Sequence, residues 1–247
     1  MSFTSWQYAF LLAAVFLLYW QLPWRGRIWL LLGASYLFYG FWDARFLALL
    51  LTSTTVDFFC GLAIAGHRQS LGKVAAIAVA PFAWLGIYTI TLQKGVAVDR
   101  WILIAAAIFP FFFCALYTLL WRLPEARQRR AFLLLSVLTN FGVLGFFKYF
   151  NFFAGSMAAL CGRLGWSAGW ILPHIILPVG ISFYTFQSVS YAVDIFKGKA
   201  QPARDFITFA AYLSFFPQLV AGPIERPNDL LPQFEKPAVW DPSNLHH

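Results

Sequence analysis

Apolar runs dominate this sequence and set the strongest limit on its fold. A membrane-spanning helix needs about 20 mostly apolar residues. Six runs meet or approach that length, at approximately residues 6–22, 28–42, 46–65, 74–92, 101–121 and 131–150. Only 11% of the 247 residues are charged, against about 25% in a soluble domain. The sequence therefore predicts an all-α, polytopic integral membrane protein with about six spanning helices plus broken or re-entrant helices.

The loops between these runs differ in charge between the two sides of the membrane. One alternate set holds eight basic residues and one acid, namely Arg25, Arg27, Arg68, Lys73, Arg122, Arg127, Arg129 and Arg130 with Glu125. The other set holds the basic residues Arg45, Lys94, Arg100 and Arg163 with the acids Asp43 and Asp99. Because basic loops tend to stay in the cytoplasm, we expect the N-terminus to lie outside. No basic stripe predicts nucleic-acid binding.

The regular pattern stops after residue 153. Pro178 and Gly180 interrupt the start of the run 171–196, and the run 206–220 is short. Irregular backbone is tolerated at membrane depth only where protein buries it or water fills a cavity. We therefore expect this region to line a cavity.

These patterns divide the chain into three predicted regions. Residues 1–153 are transmembrane helices, residues 154–224 are broken or re-entrant helices, and residues 225–247 are a polar, proline-rich cytoplasmic loop.

Several polar residues lie where a bilayer makes them costly. Asp57 lies inside the third run. Its side chain should therefore face protein or water and have a partner. It is interpreted either as a proton or substrate contact or as a hydrogen-bonded structural acid, and we favour the second. Gln187, Ser188 and Gln218 lie in the broken region. They either bond helices together or line a tunnel.

No residue pattern identifies an active site or a metal site. The histidines are His67, His174, His246 and His247, and none is placed at mid-membrane beside a carboxylate or a serine. The three cysteines are odd in number and widely spaced, which argues against a disulfide framework and a tetrahedral metal site. We assign no catalytic residue and no metal ligand.

Two long motifs resemble the membrane-bound O-acyltransferase family. They are LPVGISFYTFQSVSYAVDIFKGK (Leu177–Lys199) and YLSFFPQLVAGPIERPNDLLPQ (Tyr212–Gln233). The resemblance is to the branch of bacterial alginate O-acetyltransferases and D-alanyl transferases of teichoic acid. GFFKYFNFF (Gly145–Phe153) and the opening residues fit the same branch. Residues 66–130 fit it less well and are predicted to be a two-span insertion.

The resemblance implies a function. Members of this family move an acyl group from a cytoplasmic thioester to a hydroxyl, which here would belong to an exported polysaccharide. We expect acetyl-CoA or another acyl thioester as the donor and no bound cofactor. The lipid bilayer of the bacterial inner membrane would surround the chain, with a periplasmic acetyltransferase or a carrier protein as a partner.

In this family the catalytic histidine lies in the second half of the protein, beyond the position that matches the GPI motif (Gly222–Ile224) of this sequence. We therefore expect this chain to be the front half of such an enzyme, without its catalytic residue. The residues carried over are those of a substrate tunnel: Tyr184, Gln187, Gln218, Gly222 and Pro223.

Two other functions remain open at this point. One is a non-catalytic membrane scaffold of a polysaccharide modification or export complex. The other is a transporter, which the broken segments and Asp57 would allow. We rank the transporter below the scaffold, because the two halves of the chain hold no matched pair of broken helices.

Overall fold

The computed structural model describes residues 6–89, 100–164, 176–178, 180–222 and 225–237. The regular structure within these ranges is helical, with eleven α-helices and a π-helical end at residues 88–89. In chain order they are α1 (Trp6–Gln21), α2 (Trp24–Asp43), α3 (Phe46–Ile64), α4 (Leu71–Ala78), α5 (Ala80–Ile87), α6 (Arg100–Leu120), α7 (Glu125–Arg163), α8 (Ile181–Phe196), α9 (Phe206–Leu213), α10 (Phe216–Ala221) and α11 (Pro227–Glu235).

Helix α3 is the centre of the bundle. Its side chains are buried on all sides, from Leu47 to Ile64, apart from a few partly buried ones near its start. It packs against α2, α5, α7, α8 and α9. A helix that is apolar all round belongs in a protein interior or a membrane, and α3 fits both descriptions.

The outer helices carry large apolar side chains that face away from the protein. Trp6 on α1 is 91% exposed and Phe111 on α6 is 79% exposed. Phe152 and Phe153 on α7 are also exposed. Soluble monomers rarely display apolar surface on this scale, whereas the acyl chains of a bilayer can cover it. The exposed side chains therefore agree with the predicted membrane class.

Two described helices are long and apolar enough to cross a membrane, and these are α3 and α7. Shorter apolar helices account for much of the rest. Helix α1 has 16 residues, and the fourth predicted run is interrupted at Val79 between α4 and α5, next to Pro81. The all-helical membrane class is thus supported, while the count of six spans stays a prediction.

Two predicted boundaries differ from the structure. Helix α7 has 39 residues and continues past residue 153 to Arg163, so it crosses the boundary predicted there. Gly155 and Gly162 lie inside this helix, where each glycine costs only about 1 kcal/mol. The predicted loop 225–247 contains the short helix α11, which begins at Pro227, a position where proline is well tolerated.

Arg129 on α7 joins the ends of two neighbouring helices. Its Nε donates to the carbonyl of Ile64 at 2.9 Å, and its Nη2 donates to the carbonyl of Phe196 at 3.3 Å. The last carbonyls of a helix have no partner within it, and they form the negative end of the helix dipole. One guanidinium therefore satisfies and neutralises the C-terminal ends of α3 and α8.

Candidate functional site

Helix α8 begins at a close contact between three helices. Gly180, its N-cap, has φ +73°, a left-handed conformation that glycine adopts without cost. A Cβ there would lie 3.1 Å from the carbonyl oxygen of Leu219 on α10 and 3.2 Å from the hydroxyl of Tyr39 on α2. The predicted break at Pro178 and Gly180 is confirmed, and it brings α2, α8 and α10 together.

The tunnel residues on α8 are both buried. Tyr184 lies one turn after Gly180, and its hydroxyl has no hydrogen-bond partner among the described residues. The Gln187 side chain donates from Nε2 to the carbonyl of Tyr212 on α9 at 3.3 Å. Gln187 thus bonds two helices together, while Tyr184 presents an unpaired hydroxyl inside the bundle.

Two tunnel residues, Gln218 on α10 and Gly222 directly after it, contact each other. The Gly222 amide donates to the carbonyl of Gln218 at 2.9 Å. A Cβ on Gly222 would lie 2.8 Å from the Cα of Gln218, so this turn has no space for a side chain. Pro223 lies outside the described residues.

Helices α8 and α10, which carry these two pairs, pack against each other, and Gly180 lies close to Leu219. The structure contains a basic cleft of about 660 Å³ between α3, α8 and α11. It also contains a groove of about 370 Å³ lined by Gly33, Tyr36, Leu37, Gly40, Phe41, Ala44 and Trp84. Neither is lined by the tunnel residues. The tunnel stays a prediction.

Asp57 lies in a buried polar cluster between α3, α7 and α8. Its Oδ1 accepts from the hydroxyl of Ser136 at 2.6 Å and from Nδ2 of Asn140 at 2.8 Å. Ser188 on α8 lies near the same carboxylate, but its hydroxyl makes no hydrogen bond with the described residues. All four side chains are fully buried. Asp57 therefore has the hydrogen-bond donors that a buried carboxylate needs, as the structural interpretation expected.

Sequence reasoning missed Ser136 and Asn140. They are four residues apart in the apolar run 131–150, so they face the same side of a helix. That spacing was a usable signal, because two polar residues on one face of a membrane helix are costly without a partner. It did not, however, identify Asp57 as the partner.

A basic cleft opens where α3, α8 and α11 end or begin. It has a volume of about 660 Å³. Its charged lining residues are Lys199, Arg204, Lys236 and Glu235, and its remaining lining includes His67, Gln69, Gln201 and Asn228. His67 is the one histidine that the structure describes.

Metal chemistry has no visible basis in the described part of the chain. No group of three or more His, Cys, Asp or Glu side chains there could hold a metal ion. Cys60, Cys114 and Cys161 are free thiols. His174, His246 and His247 lie outside the described residues.

The chain is similar to alginate O-acetylases across nearly all of its length. It is 34% identical to the probable alginate O-acetylase AlgI of Pseudomonas syringae pv. tomato over 95% of this chain and 35% of that protein. The identity to the protein of the same name from Azotobacter vinelandii is 33%, over 95% of this chain and 36% of that protein.

A relative with another substrate in its name is also similar. The peptidoglycan O-acetyltransferase of Helicobacter pylori is 27% identical over 85% of this chain and 32% of that protein. No family model and no solved structure matches the chain.

The chain spans about a third of the length of the curated relatives it matches. The predicted resemblance is thus confirmed as a similarity: over 95% of its length this chain is similar to alginate O-acetylases, and it is also similar to a peptidoglycan O-acetyltransferase.

Proposed function

We propose that this chain forms part of a membrane-bound O-acyltransferase that moves an acetyl group from a cytoplasmic thioester to hydroxyls of an exported polysaccharide. The observation that carries the proposal is the 33–34% identity to alginate O-acetylases across 95% of the chain. The apolar helices support a membrane location for the reaction.

The reaction needs a base and a site that excludes water. The acceptor hydroxyl loses its proton as its oxygen attacks the thioester carbonyl, and the thiol leaves. Exclusion of water protects the thioester from hydrolysis. We assign the base to no described residue. We propose that Tyr184, Gln187, Gln218, Gly222 and Pro223 form walls along which the two substrates meet.

Three structural features support the proposal that these residues line the route of the substrates. The side chains of Tyr184, Gln187 and Gln218 are buried. They lie on α8 and α10, which meet at the irregular backbone around Gly180. The unpaired hydroxyl of Tyr184 is a polar group that a substrate oxygen would satisfy.

The loop charges support an orientation. We propose that the chain lies in the bacterial inner membrane with its N-terminus outside and the Arg127–Arg130 segment in the cytoplasm. Donor and acceptor would then reach the protein from opposite sides. A carrier protein could deliver the acyl group on one side, and a periplasmic acetyltransferase could act on the other.

The proposal is tested in an alginate-producing bacterium that lacks its own alginate O-acetylase. The protein is expressed from its native gene, and acetate released from the purified polysaccharide by mild base is measured. We expect acetate to return with the parent protein. The Gln218→Leu variant should reduce it, whereas the same change at the exposed Gln21 should not.

Two results would count against the proposal. The enzyme assignment would be wrong if the membrane-inserted parent protein added no acetate to alginate and none to peptidoglycan in a matching deletion strain. If that inactive protein still co-purified with a periplasmic acetyltransferase, the scaffold function would replace it.

A further inference from the structure

The basic cleft has the size of a small-molecule site. Its volume of about 660 Å³ falls inside the range of about 300–1,000 Å³ that is usual for ligand pockets. Three segments far apart in the chain build it. They are the turn after α3 with His67 and Gln69, the segment 199–204 between α8 and α9, and the helix α11.

The charge of the cleft favours an anion. Lys199, Arg204 and Lys236 are exposed cations that line it, against the single carboxylate of Glu235. Glu235 accepts from the backbone amide of Arg204 at 3.1 Å and lies 3.7 Å from its Nε. Two lysine ammonium groups have no salt bridge among the described residues. Ammonium and guanidinium groups are the usual protein partners of phosphate.

The backbone around the cleft adds to this preference. Helix α11 presents its first turn, Pro227 and Asn228, to the cleft, and no side chain caps it. The positive end of a helix dipole attracts anions, although Asp229 in this first turn opposes part of that attraction and the amides of Asp229 and Leu230 already donate to the carbonyl of Arg226. The opposing negative ends of α3 and α8 are neutralised by Arg129. The helix ends near the cleft therefore act in the same direction as its side chains.

The floor of the cleft is fixed. The amide of Ala203 donates to the hydroxyl of Tyr191 at 3.0 Å. The Tyr191 ring is fully buried against Phe209, with 4.6 Å between the ring centroids. The segment 199–204 is thus anchored to the core, which holds Lys199 and Arg204 at the rim.

We propose that the basic cleft binds a phosphate-bearing anion of about nucleotide size. Two sources share that chemistry: the nucleotide part of a soluble compound such as coenzyme A, and the headgroup of an anionic phospholipid. This goes beyond the proposed function, because it assigns a ligand to a cleft that none of the tunnel residues line. It does not require the chain to transfer an acyl group.

The test uses the purified 247-residue chain in non-ionic detergent. Coenzyme A is titrated by isothermal calorimetry in one arm. In the other arm, phosphatidylglycerol and phosphatidylcholine are compared by native mass spectrometry. The cleft variant combines Lys199→Gln, Arg204→Gln and Lys236→Gln. The control variant makes the same change at Arg122, Arg127 and Arg130, which are exposed and lie outside the cleft.

We expect the cleft variant to weaken anion binding by about tenfold or more, because it removes the three cationic groups that line the cleft. The control should stay within about twofold. Added salt should weaken binding by the parent, because exposed charges are screened. Binding of coenzyme A identifies the soluble source, and preferential retention of phosphatidylglycerol identifies the lipid source.

Two outcomes would overturn the proposal: neither anion binds the parent, or both variants lose binding equally. The substituted side chains are exposed, so thermal unfolding of the variants should match the parent. If the triple variant unfolds early, the single changes Lys199→Gln and Lys236→Gln replace it. Because acyl transfer is not measured, failure of the binding proposal leaves the enzyme proposal standing, and the reverse also holds.

Discussion

Gly61 on α3 has a neighbour that leaves no room for a side chain. A Cβ there would lie 2.5 Å from Cε1 of Tyr191, 2.6 Å from its hydroxyl oxygen and 2.8 Å from its Cζ. The ring cannot move aside easily. It is fully buried, it packs on Phe209, and its hydroxyl holds the amide of Ala203. We therefore predict that Gly61→Ala destabilises the protein.

The magnitude follows from three effects. Forcing an extra methyl group into a packed core costs about 1–3 kcal/mol. Displacing the Tyr191 ring also weakens its hydrogen bond with Ala203, at about 0.5–1.5 kcal/mol. Alanine is the better helix former by about 1 kcal/mol, which opposes both. The clash should prevail, and we expect a net loss of about 1–3 kcal/mol.

The assay is reversible unfolding in mixed micelles, followed by circular dichroism. The matched control is Gly33→Ala on α2, where a Cβ would meet nothing within 4 Å. That variant should gain up to about 1 kcal/mol from helix propensity alone. In a Tyr191→Ala background the penalty at Gly61 should disappear, because the ring is gone. Equal stability of the Gly61→Ala and Gly33→Ala proteins would refute the reasoning.

Three further predictions concern other contacts. Arg129→Ala should lower the free energy of unfolding by about 2 kcal/mol in the same assay, because the last carbonyls of α3 and α8 lose a charged donor. The same change at the exposed Arg130 should be nearly neutral, and equal effects of the two changes would contradict this prediction. Asn140→Leu should lower the free energy of unfolding by about 1–3 kcal/mol, because the buried Asp57 carboxylate loses a hydrogen-bond donor. A second change in the same protein, Asp57→Leu, should recover part of that stability rather than reduce it further. In the variant Arg127→Cys, the new thiol should not react with a membrane-impermeant maleimide added to intact cells, and it should react after lysis. Labelling of this thiol in intact cells would show that the proposed orientation is wrong.

The sequence by itself determined the class of the protein and one break in its backbone. The apolar runs exceed what a single soluble core of this size could hide, so a bilayer is required whatever the details of packing. The break before α8 was equally local, because Gly180 adopts a left-handed conformation that most residues avoid. The two long motifs identified the relatives without any knowledge of contacts.

Helix α7 shows which structural features could not be predicted from the sequence. Apolar side chains suit a lipid-facing surface and a protein core alike, so their pattern cannot show which face of a helix is buried. Ser136 and Asn140 look like isolated polar residues until the fold sets them against Asp57, which is 79 and 83 residues away in the chain. The sequence also did not show that α7 extends past residue 153, because the cost of about 1 kcal/mol for a glycine inside a helix is small enough for packing to offset.

Only the tertiary structure decided which distant groups meet. In the sequence Arg129 looked like one of several loop cations, whereas the structure shows it joining the ends of α3 and α8. The basic cleft joins His67, Lys199 and Lys236, which belong to three separate segments. Local sequence specifies helices through short-range periodicity and backbone preference. The Arg129 contacts and the basic cleft depend instead on how the helices are rotated and docked against one another, which is set by packing across the whole bundle.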